Sequence, residues 1–399
     1  MRRRARSAAT VAVALAAGLS VSVAAGPSAN ASITRPVVGG PLLGATSVVT
    51  DLPDGVPAPP TFNAAGWVLA DLDTGAVIAA RNPHGRYLPA STLKTLTVLT
   101  TLPKVDQSQV VLAEPSDVVE GSQVGLDPGS TYTVRQLLQG TMLSSGNDAA
   151  TALARVAGGV PQTVAAMQAE ANRLGAFDTT VRNPSGLDAP GQRSSAYDLA
   201  LVARAALDVP GFRELVATKH IRFPGKVVKG KKRTSYQIQN HNKLLYNYDG
   251  AIGVKNGYTV AARWTAIGAA TRGGHTYVLT AMRRGESSWR PQAAMLDWAF
   301  TYGARARPVG TLVTPDQAAA LAHPAGPSGP SAAAIAPAGA AQSAALRSTP
   351  TSTSTARVVG LAGIAFALVA VTLLALSARA RRRQLLAARR ARYERQTVR

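Results

Sequence analysis

Three short polar clusters stand out in the sequence for what their residue types could do. The first is Ser91-Thr92-Leu93-Lys94. On a helix, residues three apart share a face and their side chains meet. A neutral Lys94 amine could then take the hydroxyl proton of Ser91, and burial beside a second cation would lower its pKa toward that state. A serine at the start of a helix also lies near backbone N–H groups able to receive a developing oxyanion. The second cluster, Ser145-Gly146-Asn147, offers a hydroxyl that relays a proton to a leaving amine and an amide that holds a peptide backbone. The third, Lys255-Asn256-Gly257, offers a fixed positive charge for a carboxylate and a glycine where another backbone can approach closely. Taken singly, each has an ordinary alternative: a helix N-cap serine with a surface lysine, a loop turn, and an Asn-Gly hairpin turn.

The elements that must position these clusters follow from the pattern around them. Gly66–Asp71 and Ala76–Arg81 are short apolar runs joined by Asp73-Thr74-Gly75, a tight-turn signal, and predict a β-hairpin. Ser91–Leu102 is apolar-rich and stops at Pro103, which predicts a buried helix. Thr133–Val156 predicts one or two helices interrupted at residues 144–147. Gln162–Leu174, ending at Gly175, and Ala196–Leu207 predict further helices. Trp264–Thr271 and His275–Met282 predict a second hairpin, and Pro291–Tyr302 a last amphipathic helix. Strands at both ends with helices between them predict an α/β domain with a central antiparallel sheet, rather than a parallel βαβ series.

Composition bounds the rest. The formal net charge is +22, but four arginines lie at positions 2–6, and residues 379–399 hold nine arginines against Glu394. That leaves +10 for everything between. With no aromatic-studded basic stripe there, a nucleic-acid partner is not expected. The local run Lys226–Arg233 reads as a solvated hairpin tip, with an anionic wall polymer as its alternative partner. There is no cysteine, which excludes disulfides and thiolate chemistry, and five histidines without ligand spacing argue against zinc. No metal or cofactor is expected.

The ends read as targeting segments. Basic residues, an apolar run from Ala8 to Ala25 and Ala29-Asn30-Ala31 predict a signal peptide over 1–31. The 20 residues from Val358 to Ser377 carry no charge and suffice to cross a core of about 30 Å. The basic flank that follows keeps residues 378–399 cytoplasmic. The expected division is a leader at 32–61, a folded domain at 62–305, and a disordered Ala/Pro/Ser/Thr-rich linker at 306–357. A C-terminal transmembrane helix at 358–377 would hold the domain outside the cell membrane.

The three clusters in this order resemble Ser-x-x-Lys, Ser-x-Asn and Lys-Thr-Gly of the penicillin-binding proteins and serine β-lactamases. From Phe62 to Tyr302 the chain resembles the serine D-alanyl-D-alanine carboxypeptidase family, the low-molecular-weight penicillin-binding proteins. Further blocks carry the likeness: Leu88-Pro89-Ala90-Ser91, Leu143–Ala150, Asn183–Asp188, Ser195–Ala200, Asn242–Leu245 and Gly253–Thr259. The resemblance implies a β-lactamase/transpeptidase-like domain that removes the terminal D-alanine from peptidoglycan stem peptides, with β-lactams as covalent inhibitors. It implies Ser91 as nucleophile, Lys94 as general base and Ser145 as proton relay. Asn147, Lys255, Asn256, Gly257, Tyr258 and Thr259 would bind substrate, with the N–H groups of Ser91 and Tyr258 as oxyanion hole. Arg263 would add to a cationic pocket. Asn256 departs from the family threonine, with Thr259 a neighbouring hydroxyl that stands in for it. Alternatives are a DD-endopeptidase, a non-catalytic sensor of wall peptide or penicillin, and a β-lactamase for which Glu170-x-Asn172 is the one tempting feature.

Overall fold

The computed structural model describes residues 36–322. In chain order, β1 (Val48–Thr50), β2 (Ala64–Asp71) and β3 (Ala76–Arg81) come first, and a 3-10 turn at Ala90–Leu93 leads into α1 (Lys94–Thr101). Then come β4 (Val110–Leu112), β5 (Thr131–Thr133), α2 (Val134–Met142), α3 (Asn147–Val156), α4 (Val160–Arg173), α5 (Ala196–Leu207) and α6 (Phe212–Ala217). A ribbon of β6 (His220–Pro224) and β7 (Ser235–Gln239) follows, then the short α7 (Leu244–Asn247). The chain closes with β8 (Ala251–Thr259), β9 (Arg263–Arg272), β10 (His275–Arg284), α8 (Arg290–Tyr302), β11 (Gly310–Thr311) and α9 (Pro315–Ala322).

The main sheet runs β1-β3-β2-β10-β9-β8, with β11 beside β3, and every pairing is antiparallel. The expected first hairpin forms because Asp71 Oδ1 accepts the N–H groups of Asp73 and Thr74, and Gly75 takes a left-handed φ of 79° that a side chain would resist. One face of the sheet packs on α5, α6 and α1, and α2, α3 and α4 pack in turn against α1 or each other, with Leu96, Val98, Leu138 and Leu201 buried in this core. The other packs on α8 through Leu69, Leu279, Met295 and Leu296. All eight residues of α1 are buried although four are threonine. The hydroxyls of Thr100 and Thr101 donate to carbonyls one turn back, and Thr97 donates to Pro184 O at 2.6 Å. This satisfies three of the four hydroxyls, which would otherwise be costly to bury, while Thr95 Oγ1 is left without a partner among the described residues.

The predicted helices and both hairpins are present with ends shifted by a few residues, and the break near Ser145 separates α2 from α3. Two expected boundaries move. Residues 36–61 are not a detached leader: Leu43 is fully buried and Val48 pairs with Arg81. His84 fixes this stretch through Nε2 on Val38 O and Nδ1 on Asp178. Burial lowers the His84 pKa, but Asp178 and the Val38 carbonyl outweigh it and raise it overall. Residues 306–322 are likewise folded. Val309, Leu312 and Ala318 are buried, Tyr197 donates to Thr311 O, and Leu312 N donates to Gly75 O at 2.7 Å. A few apolar residues set among alanine and proline suffice to fill the gap between β3 and α5, and average composition hides them. The predicted signal peptide, the transmembrane helix, the basic tail and the linker beyond residue 322 lie outside the described residues. Among the described residues no helix is long and apolar enough to cross a membrane.

Candidate active site

Ser91 sits in the 3-10 turn that precedes α1, and Lys94 is the first residue of the helix proper. Ala90 holds a left-handed φ of 48° that swings the chain into this turn. Lys94 Nζ is fully buried and meets three oxygens: Ser91 Oγ at 2.9 Å, Asn147 Oδ1 at 2.7 Å and Ser185 O at 2.6 Å. Burial, and then the positive charge of Lys255, hold its pKa well below the usual lysine range, against the opposing pull of Asp148. The partners define the consequence. Asn147 Oδ1 and Ser185 O can only accept, so they take the two N–H groups of a neutral amine. The lone pair is then left facing the Ser91 hydroxyl. Lys94 is thereby arranged to accept that proton.

The loop carrying Ser145 and Asn147 is fixed by its neighbour Asp148. This buried carboxylate accepts from the N–H groups of Val124 (2.9 Å), Gly125 (2.8 Å) and Leu126 (2.9 Å), drawing residues 120–126 against the start of α3. Asn147 Nδ2 donates to Glu120 O at 2.6 Å, so its oxygen and one amide hydrogen are already used by the protein. Asn147 is first of all a positioner of Lys94, with one N–H left for a substrate carbonyl. Ser145 holds a left-handed φ of 59° and is nearly buried. Its hydroxyl makes no hydrogen bond among the described residues.

Strand β8 forms the other wall. Lys255 is 1% exposed, donates to Asn256 O at 2.9 Å, and burial pulls its pKa down to about 7. A Cβ on Gly257 would lie 2.6 Å from Ser91 N and 3.0 Å from Ala90 Cβ, so only glycine lets the strand pass this close to the serine. On β9, Thr265 faces Gly257 and donates to Pro89 O at 2.9 Å, tying the sheet to the serine turn. Tyr258 is half exposed and packs on Trp264, with ring centroids 4.5 Å apart.

Two expectations change. Thr259 is not a free hydroxyl: it donates to Asp188 at 2.9 Å and accepts from Ala262 N, closing the β8–β9 turn that exposes Arg263. It does not stand in for the missing threonine. Glu170 pairs with Arg173 at 2.7 Å on α4 and takes no part in the cluster, which removes the one feature favouring a β-lactamase. Asn256 borders a cavity of about 580 Å³ together with His241, Lys243, Trp264 and Arg284. His241 is a residue the sequence reading passed over. Its backbone N–H donates to Leu143 O beside the Ser145 loop, and burial and then the Lys255 charge lower the pKa of its ring. The Ser185 carbonyl, one of the three atoms holding Lys94, is a backbone contact that residue type does not signal.

A family model described as D-alanyl-D-alanine carboxypeptidase matches residues 54–284. A D-alanyl-D-alanine carboxypeptidase of Mycobacterium tuberculosis is 39% identical over 254 residues, 62% of this chain and 85% of that protein. The crystal structure of a D-alanyl-D-alanine carboxypeptidase from the same organism superposes with a TM-score of 0.61 at 41% identity, covering 66% of this chain and 99% of that one. The Streptomyces K15 DD-transpeptidase gives 0.57 at 30% identity, over 62% and 99%. With the α/β fold in common and more than half of its length matched, the chain belongs to the serine D-alanyl-D-alanine carboxypeptidase family of low-molecular-weight penicillin-binding proteins.

Proposed function

We propose that the chain removes the terminal D-alanine of peptidoglycan stem peptides through an acyl-enzyme on Ser91. The observation that carries this assignment is the Lys94 amine held by two pure acceptors with its third contact on Ser91 Oγ. Lys94 takes the Ser91 proton as Oγ bonds to the carbonyl carbon of the penultimate D-alanine. The oxyanion settles toward the N–H groups of Ser91 and Tyr258, which the close passage of Gly257 brings together. Ser145 passes the proton held by Lys94 on to the departing D-alanine nitrogen as the C–N bond breaks, which returns Lys94 to its neutral state. Water then cleaves the ester and restores Ser91. Lys255 and Asn256 receive the terminal carboxylate. β-Lactams acylate Ser91 in the same way.

The site is proposed to work outside the cell membrane. The basic start, apolar run and small-residue exit of residues 1–31 support export, and Val358–Ser377 with its arginine flank supports a single C-terminal span. A second reading, cleavage of cross-linked peptides, uses the same Ser91 chemistry, and the cavity of about 580 Å³ that Lys255 and Asn256 border offers room beside the site for a group larger than alanine. The test is the intact mass of the protein after penicillin, with Ser91→Ala beside it, together with D-alanine release from a pentapeptide ending in D-Ala-D-Ala and from a cross-linked dimer. An adduct on wild type alone with release from the pentapeptide is the expected result. No adduct would refute the assignment of Ser91.

A further inference from the structure

The charge of the domain is concentrated in one place. Residues 36–322 hold 27 Lys and Arg against 20 Asp and Glu, a net +7. The stretch from Leu215 to Tyr248 contains eight of those cations and no carboxylate, so the remainder of the domain is close to neutral at −1. The eight are Lys219, Arg222, Lys226, Lys229, Lys231, Lys232, Arg233 and Lys243. None of them enters an ion pair among the described residues, whereas Arg135, Arg155, Arg173, Arg272 and Arg307 elsewhere all do.

This stretch is an ordered ribbon. β6 and β7 pair over five residues from His220↔Gln239 to Pro224↔Ser235, about 15 Å of strand. Its inner face is anchored: Phe223 stacks on Tyr132 at 5.6 Å, Ile238 is buried, and Val227 N donates to Ser130 Oγ at 2.8 Å. Its outer face presents Arg222, Ser235, Gln237 and Gln239, and its tip the exposed Lys226, Lys229, Lys231 and Lys232. At the base, Gln239, Asn240, His241 and Lys243 line the cavity that also holds Lys255 and Asn256. Arg222 and the four tip lysines thus share one ribbon, whose base borders the cavity beside Lys255 and Asn256.

We infer that this ribbon is a docking track for a linear polyanion carrying repeated phosphate groups. The shape of the track suits a chain rather than a plane. Its tip consists of lysines, compact point charges suited to phosphate. With no carboxylate within the stretch to repel it, a polyphosphorylated chain lies along the ribbon and holds the domain close to its substrate.

The experiment uses the full chain in detergent and the quadruple variant Lys226→Ser, Lys229→Ser, Lys231→Ser, Lys232→Ser, with long-chain polyphosphate as the probe. Polyglutamate and phosphatidylglycerol vesicles serve as comparisons. The basic residues 379–399 are common to both proteins, so the difference between them reports the ribbon. At about 0.7 per released counterion, four lysines should make the variant's log–log salt slope shallower by about 3, with at least tenfold weaker polyphosphate binding. D-alanine release from a short soluble peptide should stay within twofold, showing an intact site. Equal slopes for the two proteins would overturn the inference. So would an equal loss of polyglutamate binding, which would mean charge without phosphate preference, or a loss confined to vesicles, which would make the partner a lipid surface.

Discussion

Gly257→Ala isolates the geometric core of the site. The added methyl would stand 2.6 Å from Ser91 N and 2.7 Å from Thr265 Oγ1, where ordinary contacts begin near 3.4 Å. Neither neighbour yields easily. Ser91 N is backbone, and Thr265 is held by Pro89 O. Gly257 does not occupy the left-handed region, so alanine adds no backbone strain and the effect is one of contact alone. Relief requires β8 and the Ser91 turn to separate by about 0.8 Å, and overpacking of this kind costs roughly 1–3 kcal/mol. A misplacement near 1 Å lowers a rate by about a hundredfold. Acylation should therefore fall on the order of 30- to 100-fold, or about 2–2.7 kcal/mol of barrier. The assay is the second-order rate of labelling by a fluorescent penicillin, read beside the melting temperature. Gly273→Ala is the control: its φ is +56° and nothing lies within 4 Å of the new methyl, so it should lose stability but not acylation rate. Labelling of Gly257→Ala within threefold of wild type would refute the reasoning.

Lys255, with its pKa pulled to about 7, should lose its charge as pH rises through 7. KM for a carboxylate-ended peptide should then climb, by up to about tenfold per pH unit, while Lys255→Arg flattens the profile because guanidinium stays charged; a wild-type KM constant from pH 6 to 9 would contradict this. Asp148→Asn replaces a buried acceptor of three backbone N–H groups, those of Val124, Gly125 and Leu126, by one that turns an NH2 toward them. A loss of about 3 kcal/mol or more is expected in denaturant unfolding, together with slower acylation as the loop slackens around Asn147. Asn256→Thr should raise D-alanine release by about 2- to 10-fold, the worth of one hydrogen bond better placed; an unchanged or lower kcat/KM would show that the amide already serves the carboxylate.

What the sequence made legible is the chemistry carried by contiguous side chains. Ser91 and Lys94 meet because three residues span one turn, and Asn147 joins them because it opens a helix packed beside theirs. The family resemblance placed Lys255 and Gly257 opposite. What stayed hidden is of a different kind. The Ser185 carbonyl belongs to the backbone and has no signature in residue type. Asp148 acts on N–H groups 22–24 positions earlier, and Thr259 is occupied by Asp188, 71 residues away. Such pairings are set by tertiary closure, which local periodicity does not encode. The misplaced ends have the same origin: Leu43 and Leu312 look unremarkable in their own segments and become core only when both lie against β3.

The electrostatics of the site follow from what the fold withholds. Lysine is rarely buried without a partner, yet Lys94 and Lys255 are both buried, and neither forms an ion pair among the described residues. Lys94 is given only neutral oxygens, and Lys255 a carbonyl of its own strand. Since the folded pKa of each lies below its unfolded value, folding is least favourable where both must be charged and gains as pH rises. A fixed carboxylate placed beside Lys94 would remove that penalty there and raise its pKa again, leaving no lone pair for Ser91. The nearest fixed carboxylate to Lys94, Asp148, is instead spent on backbone N–H groups. A substrate's own carboxylate reaching Lys255 supplies the missing partner on one side of the site only. It restores the Lys255 charge where binding needs it, while the partners of Lys94 remain the neutral oxygens of Asn147, Ser185 and Ser91, so the two amines can serve different tasks: one meets a carboxylate and the other meets the Ser91 hydroxyl.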